Sequence, residues 1–289
     1  MFYKKNSYIC NTMKTPKNTV ALIDTEQIVR KVNKGKLLPG PVMRFIKKLL
    51  HEEDFNRNFR DGYLGWEFVE HFFDYIDIKV EVVGEENIPA EGLFTFASNH
   101  PLGGADAGFQ VAYFAKRYNG NVCVPANNFL MHLKQLSEYL IPVNKMGANS
   151  RELAQLLSDA FHSDKQMLFF PAGVCSRRIN GVVTDLPWKK TFITKSRETR
   201  RAIIPVWFSG QNSKRFYRIS DLCHKLGIKT NFAMYTLPDE LFRCRGKRFR
   251  MVIGKPIPWT TFTPDKTDTE WAAWVREQVY ALAEAATDL

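Results

Sequence analysis

The chain has 289 residues, 45% of them hydrophobic and 25% charged, which allows a substantial buried core and excludes a disordered chain. Its formal net charge of +11 favours an anionic partner: nucleic acid, an anionic bilayer or an acidic carrier protein. No window approaches the ~18 consecutive apolar residues of a spanning helix, and the polar, basic first twenty residues read as no secretory leader, so any work on lipid is expected at the membrane surface.

Residues 1–38 form a polar, Lys-rich lead-in. Pro39-Gly40-Pro41 then opens a helical pattern in which Val42, Phe45, Ile46, Leu49 and Leu50 recur at three- and four-residue spacing, with Arg44, Lys47 and Lys48 opposite. Such a basic amphipathic helix can pack on a domain or lie in a bilayer interface. A second helix is predicted over 65–75. The alternating, β-branched segment 78–84 reads as a strand. Residues 93–98 form a short apolar run, as a buried parallel strand does, and a helix is predicted over 106–118. The alternation continues with a strand at 122–125, a helix at 127–137, a strand at 139–143, a helix at 151–162 and a strand at 167–170. A helix at 190–199, strands at 202–208 and 249–254 and a closing helix at 270–286 complete it, with 209–248 read as basic and irregular apart from a motif near 210. Strands separated by helices of this length mean βαβ units. The expected fold is one α/β domain, residues 77–289, with a mostly parallel central sheet flanked by helices, preceded by an N-terminal helical segment within 1–76. Five Cys without a C-x-x-C pair point to reduced thiols and a cytoplasmic setting.

The most informative stretch is Ser98-Asn99-His100-Pro101-Leu102-Gly103-Gly104-Ala105-Asp106, which follows a predicted buried strand. Loops at the carboxyl ends of parallel strands are where α/β sheets hold ligands. A His with an Asp close by supplies a base that works near neutral pH and a group to orient its second nitrogen. Gly103 and Gly104 let the backbone turn so that Asp106 can fold back to the imidazole.

This block resembles the first motif of the glycerolipid acyltransferase superfamily, the lysophosphatidic acid acyltransferases and their relatives. It is most similar to the bacterial hemolysin-like branch, which includes O-acyltransferases of lyso-ornithine and lyso-glycine aminolipids. The superfamily pattern puts four residues between His and Asp, whereas five separate His100 from Asp106. Three further blocks agree in order over residues 40–260. Met146-Gly147-Ala148-Asn149-Ser150-Arg151 is similar to the second motif, Phe170-Pro171-Ala172-Gly173-Val174-Cys175-Ser176-Arg177 to the third, and Ile204-Pro205-Val206 with Gly210-Gln211-Asn212-Ser213 to the fourth. The resemblance implies that His100 is the catalytic base oriented by Asp106, and that Asn99, Arg151, Ser176 and Arg177 serve an anionic acceptor. It also implies that backbone N–H groups around Gly173, in the loop Pro171-Ala172-Gly173, hold an oxyanion, and that Gly103, Gly104, Gly147 and Pro205 shape the motifs. The third motif usually carries Glu where this chain has Ala172, which weakens the case for glycerol-3-phosphate or lysophosphatidate and leaves room for a lyso-aminolipid, so the expected acceptor is of lyso-aminolipid or lysophosphatidate type.

The implied reaction moves a fatty acyl group from a CoA or acyl carrier protein thioester onto a lysolipid hydroxyl, with no cofactor and no metal. It is expected on the inner face of the cell membrane by peripheral binding, with nucleic acid disfavoured as partner. Two alternatives remain: a lipid or thioester hydrolase using the same His, and a non-catalytic basic membrane- or nucleic-acid-binding protein. Cys175 has no base near it in sequence and is not expected to act as a nucleophile. His51 with Glu52, Glu53 and Asp54 lacks metal-ligand spacing and reads as a solvated helix face. The basic clusters, Arg200-Arg201 among them, read as an anion-facing surface.

Overall fold

The computed structural model describes residues 22–127, 130, 133–144, 150–228 and 232–285. Its centre is a seven-stranded sheet: β1 (Lys79–Val83), β2 (Phe94–Ser98), β3 (Val122–Asn127), β4 (Leu140–Asn144), β5 (Gln166–Phe169), β8 (Ala202–Phe208) and β9 (Arg248–Ile253). The spatial order is β1-β9-β8-β2-β5-β3-β4, every neighbouring pair being parallel except β8 with β9. The expected mostly parallel α/β fold is therefore present. All five residues of β2 are buried, because helices cover both faces of a central parallel strand.

Four helices precede the sheet: α1 (Thr25–Val32), α2 (Gly40–Leu49), α3 (Glu52–Phe59) and α4 (Gly65–Tyr75). Phe55 and Phe59 of α3 and Phe68, Val69, Phe72 and Phe73 of α4 join the same core as Phe96 of β2 and Phe114 of α5 (Gly104–Arg117). In α2, Met43 is buried while Val42 and Phe45 face outward, so this helix packs with one edge only. Behind the sheet lie α6 (Ser150–His162), α7 (Thr191–Thr199) and α10 (Asp268–Ala285). Ala97, Ile203, Phe192, Trp271, Val275 and Val279 fill a second core cluster there.

Two expectations are corrected and one hairpin is added. No α-helix is present among the described residues of 127–137: β3 runs on to Asn127, and 134–136 forms a short 3-10 turn in which Leu136 N donates to Leu133 O. Leu130, Leu133 and Leu136 recur every third residue, the period of a 3-10 turn rather than of an α-helix. Residues 209–248 are not irregular. They contain α8 (Lys214–Lys225), capped by Ser213, a 3-10 turn at Phe232–Thr236 and α9 (Leu237–Phe242). Between β5 and α7, β6 (Arg177–Ile179) and β7 (Val182–Thr184) form an antiparallel hairpin that the period-2 signal was too short to reveal.

Candidate active site

β2, β5 and β8 run parallel side by side, so their carboxyl ends open on one edge of the sheet. Three loops converge there: 99–103 after β2, 170–176 after β5 and 209–213 after β8. Asn99 fixes the first. Its amide donates to Phe208 O at 2.9 Å and its oxygen accepts from Phe208 N at 2.7 Å, which staples the exit of β2 to the end of β8. Asn99 is thus a buried positioning group, and not the anion contact expected from the resemblance.

Gly103 then turns the chain at φ 83, and α5 begins at Gly104. A Cβ on Gly103 would sit 2.8 Å from the Cys175 Sγ, so this position requires glycine by both conformation and space. Gly104 has no positive φ, and a Cβ there would meet Leu241 at 3.5 Å, an ordinary contact. Only the first glycine of the pair is needed for the turn. Asp106, in the first turn of α5 and fully buried, points back across the loop. Its Oδ2 lies 2.8 Å from His100 Nδ1, and its Oδ1 has no hydrogen-bond partner among the described residues. The extra residue in the His-to-Asp spacing does not prevent the pair from closing.

His100 is 16% exposed, and its ring lies 4.5 Å from that of Phe170. Burial works against protonation of the imidazole, but the Asp106 carboxylate and the Cys175 thiol beside the ring prevail and hold its pKa well above the usual 6.5. With Nδ1 engaged by Asp106, Nε2 is the nitrogen left for chemistry.

The loop after β5 wraps the His100 loop. Ser176 N donates to His100 O at 2.8 Å, and Ser176 Oγ donates to Asp185 Oδ1 at 2.6 Å. Ser176 is buried and turned inward, so it positions the loop and does not face an acceptor. Arg177 donates to Cys175 O at 2.6 Å and stacks its guanidinium over Phe216 at 5.4 Å. Gly173 takes φ 71 and closes its turn by donating to Phe170 O at 2.9 Å, so its own N–H is engaged. The N–H groups of Val174 and Cys175 have no backbone acceptor among the described residues. Pro171 O accepts from Lys189 N at 3.0 Å, and Ala172 is buried in the second core cluster against Trp188 and Phe192.

Arg151 stands exposed in the first turn of α6; Gly147 lies outside the described residues. Pro205 is not at a sheet edge. It lies within β8, between β2 and β9, where Gly254 N donates to its carbonyl at 2.8 Å. A Cβ on Gly254 would come within 2.8 Å of the proline ring, so that glycine makes room for it. Arg201 is not a surface cation. It is buried, and its guanidinium donates to the carbonyls of Phe161, Ser163 and Lys165 at 2.6–2.9 Å, which caps the end of α6. His51 is likewise no solvated group, for it stacks on Phe242 and lies 2.9 Å from Asp239 of α9.

Asp185 is the residue that the sequence did not single out. Its Oδ1 accepts from His100 N at 3.3 Å as well as from Ser176, and its Oδ2 accepts from Trp188 Nε1 at 3.0 Å. Its own N–H donates to the Tyr280 hydroxyl at 2.8 Å. Burial pushes the Asp185 carboxyl above its usual range despite these hydrogen bonds and the nearby His100. The only sequence signal was a lone Asp in an apolar stretch before Trp188.

Comparison with known proteins completes the description. A family model described as "acyltransferase" matches residues 28–288. A lyso-glycine lipid O-acyltransferase of Bacteroides thetaiotaomicron is 45% identical over 270 residues, which span 92% of this chain and 99% of that protein. One of the same name from Phocaeicola vulgatus is 43% identical over 277 residues, with 94% and 99% covered. The crystal structure of a 1-acyl-sn-glycerophosphate acyltransferase from Thermotoga maritima superposes with a TM-score of 0.46 at 16% identity, covering 90% of this chain and 92% of that one.

Proposed function

The chain belongs to this acyltransferase family, and on that premise we propose that it is an O-acyltransferase that moves a fatty acyl group from a thioester onto the hydroxyl of a lyso-aminolipid. The observation that carries the reading is the His100–Asp106 pair at 2.8 Å at the carboxyl edge of the sheet. The names of the two relatives, each matched over nearly its whole length, support lyso-glycine lipid as the acceptor.

In this mechanism Asp106 fixes the proton of His100 on Nδ1. Nε2 takes the proton of the acceptor hydroxyl as its oxygen attacks the thioester carbonyl. The C–O bond forms, the C–S bond breaks, and Nε2 returns the proton to the departing thiolate, so atoms and charge balance. The N–H groups of Val174 and Cys175, left without a backbone acceptor, are the candidates for holding the oxyanion. Arg151 and Arg177 are the proposed cations for an anionic headgroup. Acyl carrier protein or CoA brings the acyl group as co-substrate, and no cofactor enters the scheme.

A second reading is favoured by one observation: the Cys175 thiol, which sequence order left without a base, lies against the His100 ring. The acyl group could then pass through a Cys175 thioester, with the donor thiol leaving first and the acceptor hydroxyl attacking second. Transfer from labelled acyl carrier protein and from acyl-CoA, with and without lyso-glycine lipid, tests both readings. His100→Ala is expected to lower transfer by ~10²–10⁴-fold without unfolding the protein. Cys175→Ala leaves direct transfer within a few-fold and abolishes a covalent route. Release of free fatty acid at the same rate without acceptor would replace transfer by hydrolysis.

A further inference from the structure

Helix α8 and two elements packed on it carry an unusual surface beside the site. On α8, Leu222 is 57% and Leu226 63% exposed, one helical turn apart on the same stripe. The 3-10 turn packed on α8 exposes Phe232 and Tyr235, whose rings lie 6.3 Å apart. The β6–β7 hairpin, tied to α8 by the Arg178–Asp221 ion pair, exposes Ile179 and Val182, the latter by 64%. Soluble surfaces carry single exposed apolar side chains without consequence, but six on contiguous elements need an occupant.

Charge says which. Lys214, Arg218 and Lys225 recur at four- and seven-residue spacing along α8, all exposed and none paired with a carboxylate among the described residues. The one carboxylate on the same helix, Asp221, is already neutralised by Arg178. Greasy side chains beside a row of free cations fit a bilayer with anionic headgroups, whose acyl boundary takes the first and whose phosphates take the second. An acidic carrier protein would match the cations but leave the Leu, Phe and Val side chains without a complement.

The surface is continuous with the active site. β6 begins at Arg177, directly after Ser176, and Arg177 stacks on Phe216 of α8. Asn212, just ahead of α8, donates to Pro101 O at 3.3 Å, and Leu237 of α9 packs against Gly103. We propose that the face formed by α8, the turn at Phe232–Thr236 and the β6–β7 hairpin docks this enzyme on an anionic bilayer and so sets the His100 loop at the membrane surface. The proposal rests on the lysolipid reading for the substrate that the bilayer would supply, and on the exposed residues for the docking itself.

The test is co-sedimentation with vesicles of equal parts phosphatidylcholine and phosphatidylglycerol, against vesicles of phosphatidylcholine alone. Each large apolar side chain withdrawn from an interface costs roughly tenfold in partitioning. Leu222→Ser with Leu226→Ser and Phe232→Ser is therefore expected to weaken binding at least ~100-fold with an unchanged melting temperature. Lys214→Glu with Arg218→Glu should remove the preference for anionic vesicles. Val42→Ser with Phe45→Ser on α2 should leave binding within a few-fold of wild type. Wild-type binding by the α8 variants, or its loss in the α2 variant alone, overturns the proposal. So does a variant that still binds vesicles but loses only its use of acyl carrier protein, since the face would then be a donor-docking site. A wild type that binds vesicles through this face yet acylates no lysolipid would sink the activity reading and leave the docking surface standing.

Discussion

At the scale of single residues the proposed chemistry rests on an imidazole poised between two opposing influences, burial and a buried carboxylate. Because the carboxylate prevails, the proposed base, which must be neutral to act, holds its proton to higher pH than a free imidazole, and transfer should rise with pH through a midpoint above 6.5. Replacing Asp106 with Asn removes the charge that raises this pKa. The midpoint should fall, and turnover should fall with it, because the ring loses the acceptor that fixes its tautomer. A pH–rate profile whose midpoint stays put in Asp106→Asn would contradict the assignment. Asp185 differs in kind. It touches the His100 backbone and not the ring, so Asp185→Asn presents an amide N–H to buried donors and costs roughly 1–3 kcal/mol of stability. Turnover should drop while the pH midpoint moves far less than in Asp106→Asn, which the same profile checks.

At the scale of elements, the turn between β2 and α5 decides whether Asp106 reaches His100. Gly103 works at positive φ against the Cys175 thiol, while Gly104 is an ordinary first helical residue. Gly103→Ala should therefore destabilise by ~1–2 kcal/mol and impair transfer, whereas Gly104→Ala should be neutral or slightly stabilising. Urea unfolding midpoints with parallel activity assays compare the two. Equal damage from both would mean that the turn is not set by backbone conformation. The hairpin after β5 matters in the same way, since it starts one residue after Ser176 and carries the chain to Asp185, whose carboxylate ties both loops together.

For the whole molecule, the His100–Asp106 ion pair couples folding to pH. The folded pKa of His100 exceeds its unfolded value of 6.5, so the pair's contribution is fully present below pH 6.5 and is lost as pH rises through the folded value. The stability difference between wild type and His100→Ala, read from urea unfolding, should shrink over that rise; a flat difference would show that no such pair forms. How much of this was legible beforehand follows from the range of each signal. Apolar runs such as that of β2 announced most strands, and the block from Ser98 to Asp106 announced His100, because burial and turn chemistry act over a few consecutive residues. Period alone misjudged 127–137 and missed α8, since a three-residue apolar spacing and a basic helix both blur the 3.6-residue signal. What no reading along the chain could supply was proximity: Asp185 beneath His100 from 85 residues away, Cys175 against its ring, and Asn99 bonded to Phe208 rather than to a substrate. The sequence by itself determined an α/β fold of the acyltransferase family with a His-Asp block at the end of a buried strand. The tertiary structure alone decided which motif residues are bonded to one another and hold the loops, because partners distant in sequence meet only when parallel strands bring their carboxyl ends to one edge.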